Sequence, residues 1–200
     1  MSTIFERFDA SDVRDLIEEF PLAWVCAGDS SADHASLLPL LGGYDVDGAL
    51  THLIGHMARH NPLFGALTAN PHALVLFRGP QAYVSPAFAG RRDWAPTWNY
   101  AQLRLEVDIV FAPDEAVTAL TMLVEAMEEG RSEPWTATEL GARYEPMQRK
   151  IIAFRARVKK LSGKFKLGQD EARETLEAML DNIPDEATVR WMRRFATRRG

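Results

Sequence analysis

The chain has 200 residues, 46% hydrophobic and 26% charged, enough apolar material for a compact core and too much for wholesale disorder. The formal net charge is −5, so the overall field draws the chain neither to DNA nor to an anionic membrane. The one cysteine, Cys26, excludes an internal disulfide and, with a start that lacks a signal pattern and no apolar run near membrane length, points to a cytoplasmic protein.

The first element is a helix over SDVRDLIEEF. Val13, Leu16, Ile17 and Phe20 fall at i, i+3, i+4 and i+7, Asp9 or Ser11 caps it, and Pro21 ends it. LAWVCAG then reads as a buried strand with Cys26 as a small core residue, DSSADHAS as a polar turn region, and LLPLLGGYDVDG as a run that ends in a turn. ALTHLIGHMA is a strand. It runs into a short helix, NPLFGAL, with Asn61 as N-cap and Pro62 at the first helical position. HALVLFRG is a strand that QAYVSP continues past Gly79-Pro80.

Between 101 and 111, Leu103, Leu105, Val107, Ile109 and Phe111 alternate with Gln102, Arg104, Glu106 and Asp108, the pattern of a strand with one wet face. PDEAVTALTMLVEAMEEG is an amphipathic helix with Val117, Leu120, Leu123, Val124 and Met127 as its stripe. KIIAFRARVKKL alternates again, with Ile152, Phe154, Ala156 and Val158 on one side, and two helices close the sequence. About six strands without regular intervening helices disfavour a βαβ arrangement. The expected fold is mainly β with peripheral helices (α+β), a small antiparallel barrel.

GHMARHNP gathers nitrogen-rich side chains where a helix starts. His52, His56 and His60 have helical metal spacing, but on a strand four residues cover roughly 13 Å, too far for neighbouring histidines to grip one zinc. They remain either ordinary histidines or the wall of an anion or cofactor site. Arg59 adds a planar fork suited to phosphate oxygens. Free N–H groups and the positive dipole at the helix start also favour an anion. Tyr83 and Ser85 in GPQAYVSPAF, and Thr97, Trp98, Asn99 and Tyr100 in WAPTWNYAQL, interleave rings with hydroxyl and amide groups. Such a set suits a planar heteroaromatic ligand, and equally suits packing at a barrel end. LSGKFKLGQD places Lys164 and Lys166 on one side of Phe165, with Gln169 beyond. The arginines of RWMRRFATRR read as a solvated helix end or a partner contact, without a DNA recognition pattern.

Four stretches in this order, GHMARHNP, LVLFRGPQAYVSP, PTWNYAQL and LSGKFKLGQD, resemble the PaiB-type FMN-binding negative transcriptional regulators over roughly residues 1–180. The resemblance implies an FMN-binding split β-barrel over 1–168, a C-terminal helical extension over 169–200, and a homodimer with FMN at the subunit interface. It points to Arg59 and His60, with His56 and Asn61 close, for the flavin phosphate. It places Tyr83, Ser85, Thr97, Trp98, Asn99, Lys164, Lys166 and Gln169 in the family's other motifs. The sequence departs from the family pattern where SLLP, with Leu37, stands for THLP, where Gln81 and Arg104 stand for histidines, and where KLGQD stands for KLSQN. The ligand implied is FMN or a related phosphorylated molecule, with direct DNA contact weakly supported. A flavin-dependent oxidoreductase or reductase, and a barrel acting through protein interaction without flavin, are the alternatives.

Overall fold

The computed structural model of the chain describes residues 4–28 and 34–198. Residues 29–33 of the expected polar turn, and Arg199 of the basic tail, lie outside them. Six strands form a closed barrel: β1 (Leu22–Ala27), β2 (Ala35–Tyr44), β3 (Leu50–Ala58), β4 (His72–Val84), β5 (Thr97–Phe111) and β6 (Ile151–Lys166), in the order β1-β2-β3-β6-β5-β4. β1 pairs antiparallel with β2 and β4, and β3 pairs antiparallel with β2 and β6. The helices are α1 (Ala10–Glu19), α2 (Pro62–Ala69), α3 (Ala116–Glu128), α4 (Tyr144–Gln148), α5 (Arg173–Asn182) and α6 (Glu186–Ala196). Among the described residues, no helix is long and apolar enough to cross a membrane.

The expected α+β barrel is present, and most of its elements form for the reasons the sequence shows. On β5, Leu103, Leu105, Val107 and Ile109 are buried, whereas Gln102, Arg104 and Glu106 are exposed. Three elements differ from their sequence reading. The run read only as ending in a turn is a ten-residue strand, β2, because its partners on both sides satisfy a backbone that Pro39 and Gly42-Gly43 punctuate. β1 is buried on one face only: its outward side leaves Trp24 48% exposed. Finally, α3 meets the barrel through Ala116 and Ala119, which pack with Ile54, Ala153 and Ile151. Small residues allow that close approach, so the larger stripe residues Val117 and Met127 remain exposed.

The outward side of β1 forms part of an uncharged wall. Leu76 on β4, Trp24 on β1 and Leu37 on β2 lie directly across from one another, and all three are exposed. The flanking outward positions are Leu22 opposite Pro39, and Cys26 between Leu74 and Ala35. By contrast, β5 turns Arg104, Glu106 and Asp108 outward.

The chain divides into two compact units. One comprises Ala10–Phe77 and Arg104–Leu161. Its core includes Leu16, Leu40, Leu53, Met57, Val75, Phe77, Leu105 and Phe154, all buried. A polar relay ties the start of α3 to the barrel strands. Arg155 donates to Glu115 at 2.7 and 2.9 Å and to His52 Nε2 at 3.0 Å. Because arginine only donates, His52 carries its proton on Nδ1 and gives it to Thr51 Oγ1 at 2.9 Å, and that hydroxyl in turn donates to the Gly43 carbonyl at 3.0 Å. Position 43 has to be glycine for this arrangement, since a Cβ there would run into the His52 ring.

The other unit comprises Met1–Asp9, Arg78–Leu103 and Ser162–Gly200. Its centre is an aromatic stack. Phe165 lies 4.9 Å from Phe195 at an interplanar angle of 12°, and 6.0 Å from Trp191, with Phe8 at 5.2 Å. α6 is strongly amphipathic: Val189, Trp191, Met192 and Phe195 are buried while Arg190 and Arg193 face outward. Arg194 and Arg198 lie over the Trp191 and Phe195 rings at 5.2 and 5.1 Å, and Arg198 pairs with Asp9 at 3.1 Å.

Candidate functional site

In the first unit, β3 delivers His56 near its end, and a two-residue turn carries Arg59 and His60 to the start of α2. Asn61 caps α2 as its sequence predicts. Its Oδ1 accepts from Leu63 N at 3.0 Å, and its Nδ2 donates to Ser36 Oγ at 2.9 Å. The helix start offers an anion fewer N–H groups than the sequence suggests. Pro62 has none, Leu63 gives its own to the Asn61 side chain, and Phe64 N bonds the Asn61 carbonyl at 2.9 Å. The capacity of this turn to hold an anion therefore lies in its side chains. Arg59 is exposed. Its backbone N–H donates to the Lys150 carbonyl at 2.8 Å and its Nε to the Arg149 carbonyl at 3.2 Å, which fixes the root of the guanidinium. His60 is exposed beside it.

Among the motif residues, His56 has a chemical feature of interest. Its Nδ1 is buried and has no hydrogen-bond partner in the protein. Buried polar atoms usually have one, so this nitrogen retains hydrogen-bonding capacity that the protein leaves unused. Burial also lowers the His56 pKa, which favours the neutral imidazole. The His52 pKa is lowered too, by burial first and then by the Arg155 charge. An unfolded histidine takes up a proton near pH 6.5, whereas these two resist it when folded. The unfolded state thus binds more protons below that point, and stability that is complete above about pH 6.5 falls as pH drops through the lower folded values. The urea midpoint is expected to decline between pH 7.5 and 5.5, and less so in a His56→Gln protein. Identical pH profiles for the two proteins would dismiss the His56 contribution. Among the described residues, no group of three or more His, Cys, Asp or Glu side chains could hold a metal ion.

The second unit holds the remaining motif residues. Tyr83 and Trp98, 48% and 53% exposed, meet edge to face with ring centroids 5.8 Å apart. Lys166 Nζ donates to Thr97 Oγ1, and Lys164 is half-buried on the same strand. Ser85 Oγ accepts from Ala87 N at 3.2 Å within a turn. Asn99 is buried, and its Nδ2 reaches the Met192 sulfur at 3.4 Å. Gln169 is buried as well: it accepts from Leu167 N at 2.7 Å and donates to the Phe165 carbonyl at 2.6 Å. These bonds brace the turn in which Gly168 takes φ 83°. The open rings of Tyr83 and Trp98 and the Lys166–Thr97 pair suit a planar polar ligand. Ser85 and Gln169 brace the local backbone, and Asn99 packs against Met192.

One pair escaped the sequence reading. His72 Nδ1 lies 2.5 Å from Asp108 Oδ1, and Lys159 lies 3.5 Å from the other carboxylate oxygen. The His72 hydrogen bond is the main cause of an Asp108 pKa held below the usual carboxylate value. A cavity of about 400 Å³ opens beside them, lined also by Leu74 and Arg104. The outward register of Asp108 on β5 was legible. Its partner was not, because the two residues are 36 positions apart and on different strands.

Residues 1–160 match the family described as "Putative FMN-binding domain". The Bacillus subtilis protein named protease synthase and sporulation protein PAI 2 is 25% identical over 184 residues, covering 91% of this chain and 87% of that protein. Among solved structures, the FAD and heme binding protein from Mycobacterium smegmatis matches with a TM-score of 0.57 at 19% identity, over 86% of this chain and 78% of that one. The flavocytochrome Anf3 from Azotobacter vinelandii matches with a TM-score of 0.54 at 14% identity, over 80% and 68%. At these identities the two structures are similar to this chain in fold.

Proposed function

The chain belongs to the FMN-binding domain family, and on that premise we propose that it works as a flavin-binding regulator of the PaiB type, assembled as a homodimer. Its cofactor is FMN or a closely related flavin. The residues at the β3–α2 turn fit a phosphorylated flavin. Arg59 and His60 would hold the phosphate, Asn61 fixes the turn, and the unpartnered Nδ1 of His56 would meet a polar atom of the ligand. That buried, unsatisfied nitrogen is the observation that carries the reading.

Tyr83, Trp98, Thr97, Lys164 and Lys166 are proposed as contacts for the planar part of such a ligand. Ser85, Asn99 and Gln169 would hold the surrounding backbone and packing. When bound, the flavin supplies a redox-active ring, and the protein supplies orientation and charge. The regulatory role rests on the resemblance to the PaiB-type family, and the subunit contact on the uncharged wall around Trp24.

The test is a spectrum of the purified protein with and without added FMN, followed by titration of two variants. A charge-assisted hydrogen bond contributes roughly 1.5–3 kcal/mol, so Arg59→Ala is expected to weaken FMN binding about 10- to 150-fold. Arg198→Ala, which loses its Asp9 pair in the other unit, is expected to bind FMN as the parent does. Superimposable titrations for the two variants would remove the phosphate from this turn.

A further inference from the structure

A groove of about 800 Å³ opens on the first unit, apart from every residue proposed above for the flavin. Leu41 and Gly42 of β2 line it. Glu18 in the last turn of α1 lines it, as do Met122, Glu125, Ala126, Met127 and Glu128 of α3. The loop after α3 completes it with Glu129, Gly130, Arg131, Pro134, Trp135 and Thr136. That loop is held in place: Trp135 N donates to Glu128 Oε2 at 3.1 Å, Arg131 pairs with Glu128 at 3.3 Å, and Gly130 takes φ 79°.

Three large apolar side chains in this groove, Met122, Met127 and Trp135, are exposed. Flexible methionines beside an aromatic ring form an adaptable apolar surface of the kind that receives helix side chains. The other lining side chains have the opposite character. Glu18, Glu125, Glu128 and Glu129 line the same groove, against Arg131 among the cations that line it. The C-terminal ends of α1 and α3 both reach the groove, and each adds partial negative charge from its unbonded carbonyls. The site therefore combines exposed apolar side chains with an excess of carboxylates.

We propose that this groove docks a cationic amphipathic peptide segment of a partner protein, with apolar side chains seated on Met122, Met127 and Trp135 and flanking Lys or Arg facing the glutamates. An anionic or neutral partner is disfavoured, because it would face three uncompensated carboxylates and two helix C-termini. The proposal does not depend on the flavin reading.

The test uses the full-length protein and a fluorescein-labelled, helix-forming peptide of Leu, Lys and Ala, with Leu at i, i+3, i+4 and i+7. Binding is followed by fluorescence anisotropy. The Lys peptide is expected to bind, and its Kd to rise at least about tenfold when every Lys is replaced by Glu. The same loss is expected in a Glu125→Lys/Glu129→Lys protein, whereas a Met127→Ser protein isolates the apolar contribution and should lose several-fold. A Glu174→Lys protein, altered at an exposed position on α5, should bind as the parent does. Circular dichroism and thermal melts confirm that each variant is folded. Equal affinity for the Lys and Glu peptides, or the same Kd in the parent and the charge-reversed protein, overturns the proposal. So does concentration-dependent self-association that charge reversal abolishes, which would give the groove to a second copy of the chain.

Discussion

In light scattering the parent is expected to run at about twice the 22.4 kDa chain mass, and a Trp24→Glu protein as a monomer. The expectation follows from the outer wall of β4, β1 and β2. Outward positions 22, 24, 26, 35, 37, 39, 74 and 76 carry no charge, and the exposed row Leu76–Trp24–Leu37 crosses three adjacent strands. An apolar strip of that kind on a barrel marks a contact with another protein surface. A buried tryptophan at the centre of such a contact typically contributes 2 kcal/mol or more. In a two-fold dimer each substitution counts twice, so the dissociation constant is expected to rise by about a thousandfold. A parent that is already monomeric at high micromolar concentration, or a Trp24→Glu protein that stays dimeric, would move the subunit contact elsewhere. Measuring FMN binding in the same samples shows whether the flavin needs the second subunit.

The second large effect belongs to Phe195→Ala. Phe195 is buried on α6 and stacks 4.9 Å from Phe165, within the group that also includes Trp191. Truncating a buried phenylalanine costs about 3–5 kcal/mol, since the vacated space closes only in part. For a chain of this size that is a fall in Tm of roughly 6–20 °C. Leucine at 195 keeps most of the volume and should restore well over half of the loss. A shift of less than 2 °C for the alanine protein would mean that the stack packs loosely and does not hold the unit together.

How far the sequence foretold this molecule depends on the kind of signal each segment carries. β5 was legible because a strand with one wet face writes its register into alternating residues. α2 was legible because Asn61 and Pro62 are local start signals whose partners lie two or three residues away. β2 was hidden by Pro39 and by Gly42-Gly43, residues that usually mark turns. Here Gly43 serves the neighbouring His52 ring instead, a requirement set by a different strand. The α3 stripe misled because the helix is apolar on more than one side, and periodicity does not tell which side meets the wall. Small Ala116 and Ala119 won that contact over the larger Val117 and Met127.

The same division runs through the candidate site. The sequence located the concentration of His56, Arg59, His60 and Asn61 at a strand end. It was silent on which polar atoms were already engaged: Asn61 by Ser36, Gln169 by its own turn, Asn99 by a thioether. Residue type suggests binding capacity. Only the assembled neighbours show how much of that capacity remains for a ligand.

The unit built around Phe165 draws on three widely separated stretches of chain. During synthesis the residues from 78 to 103 leave the ribosome long before α6 does. Their apolar surface must wait for Trp191 and Phe195 to emerge, so this unit can reach its native packing only after α6 has been synthesised. Premature termination anywhere before residue 195 would release a chain with exposed rings, a natural substrate for chaperones and proteases.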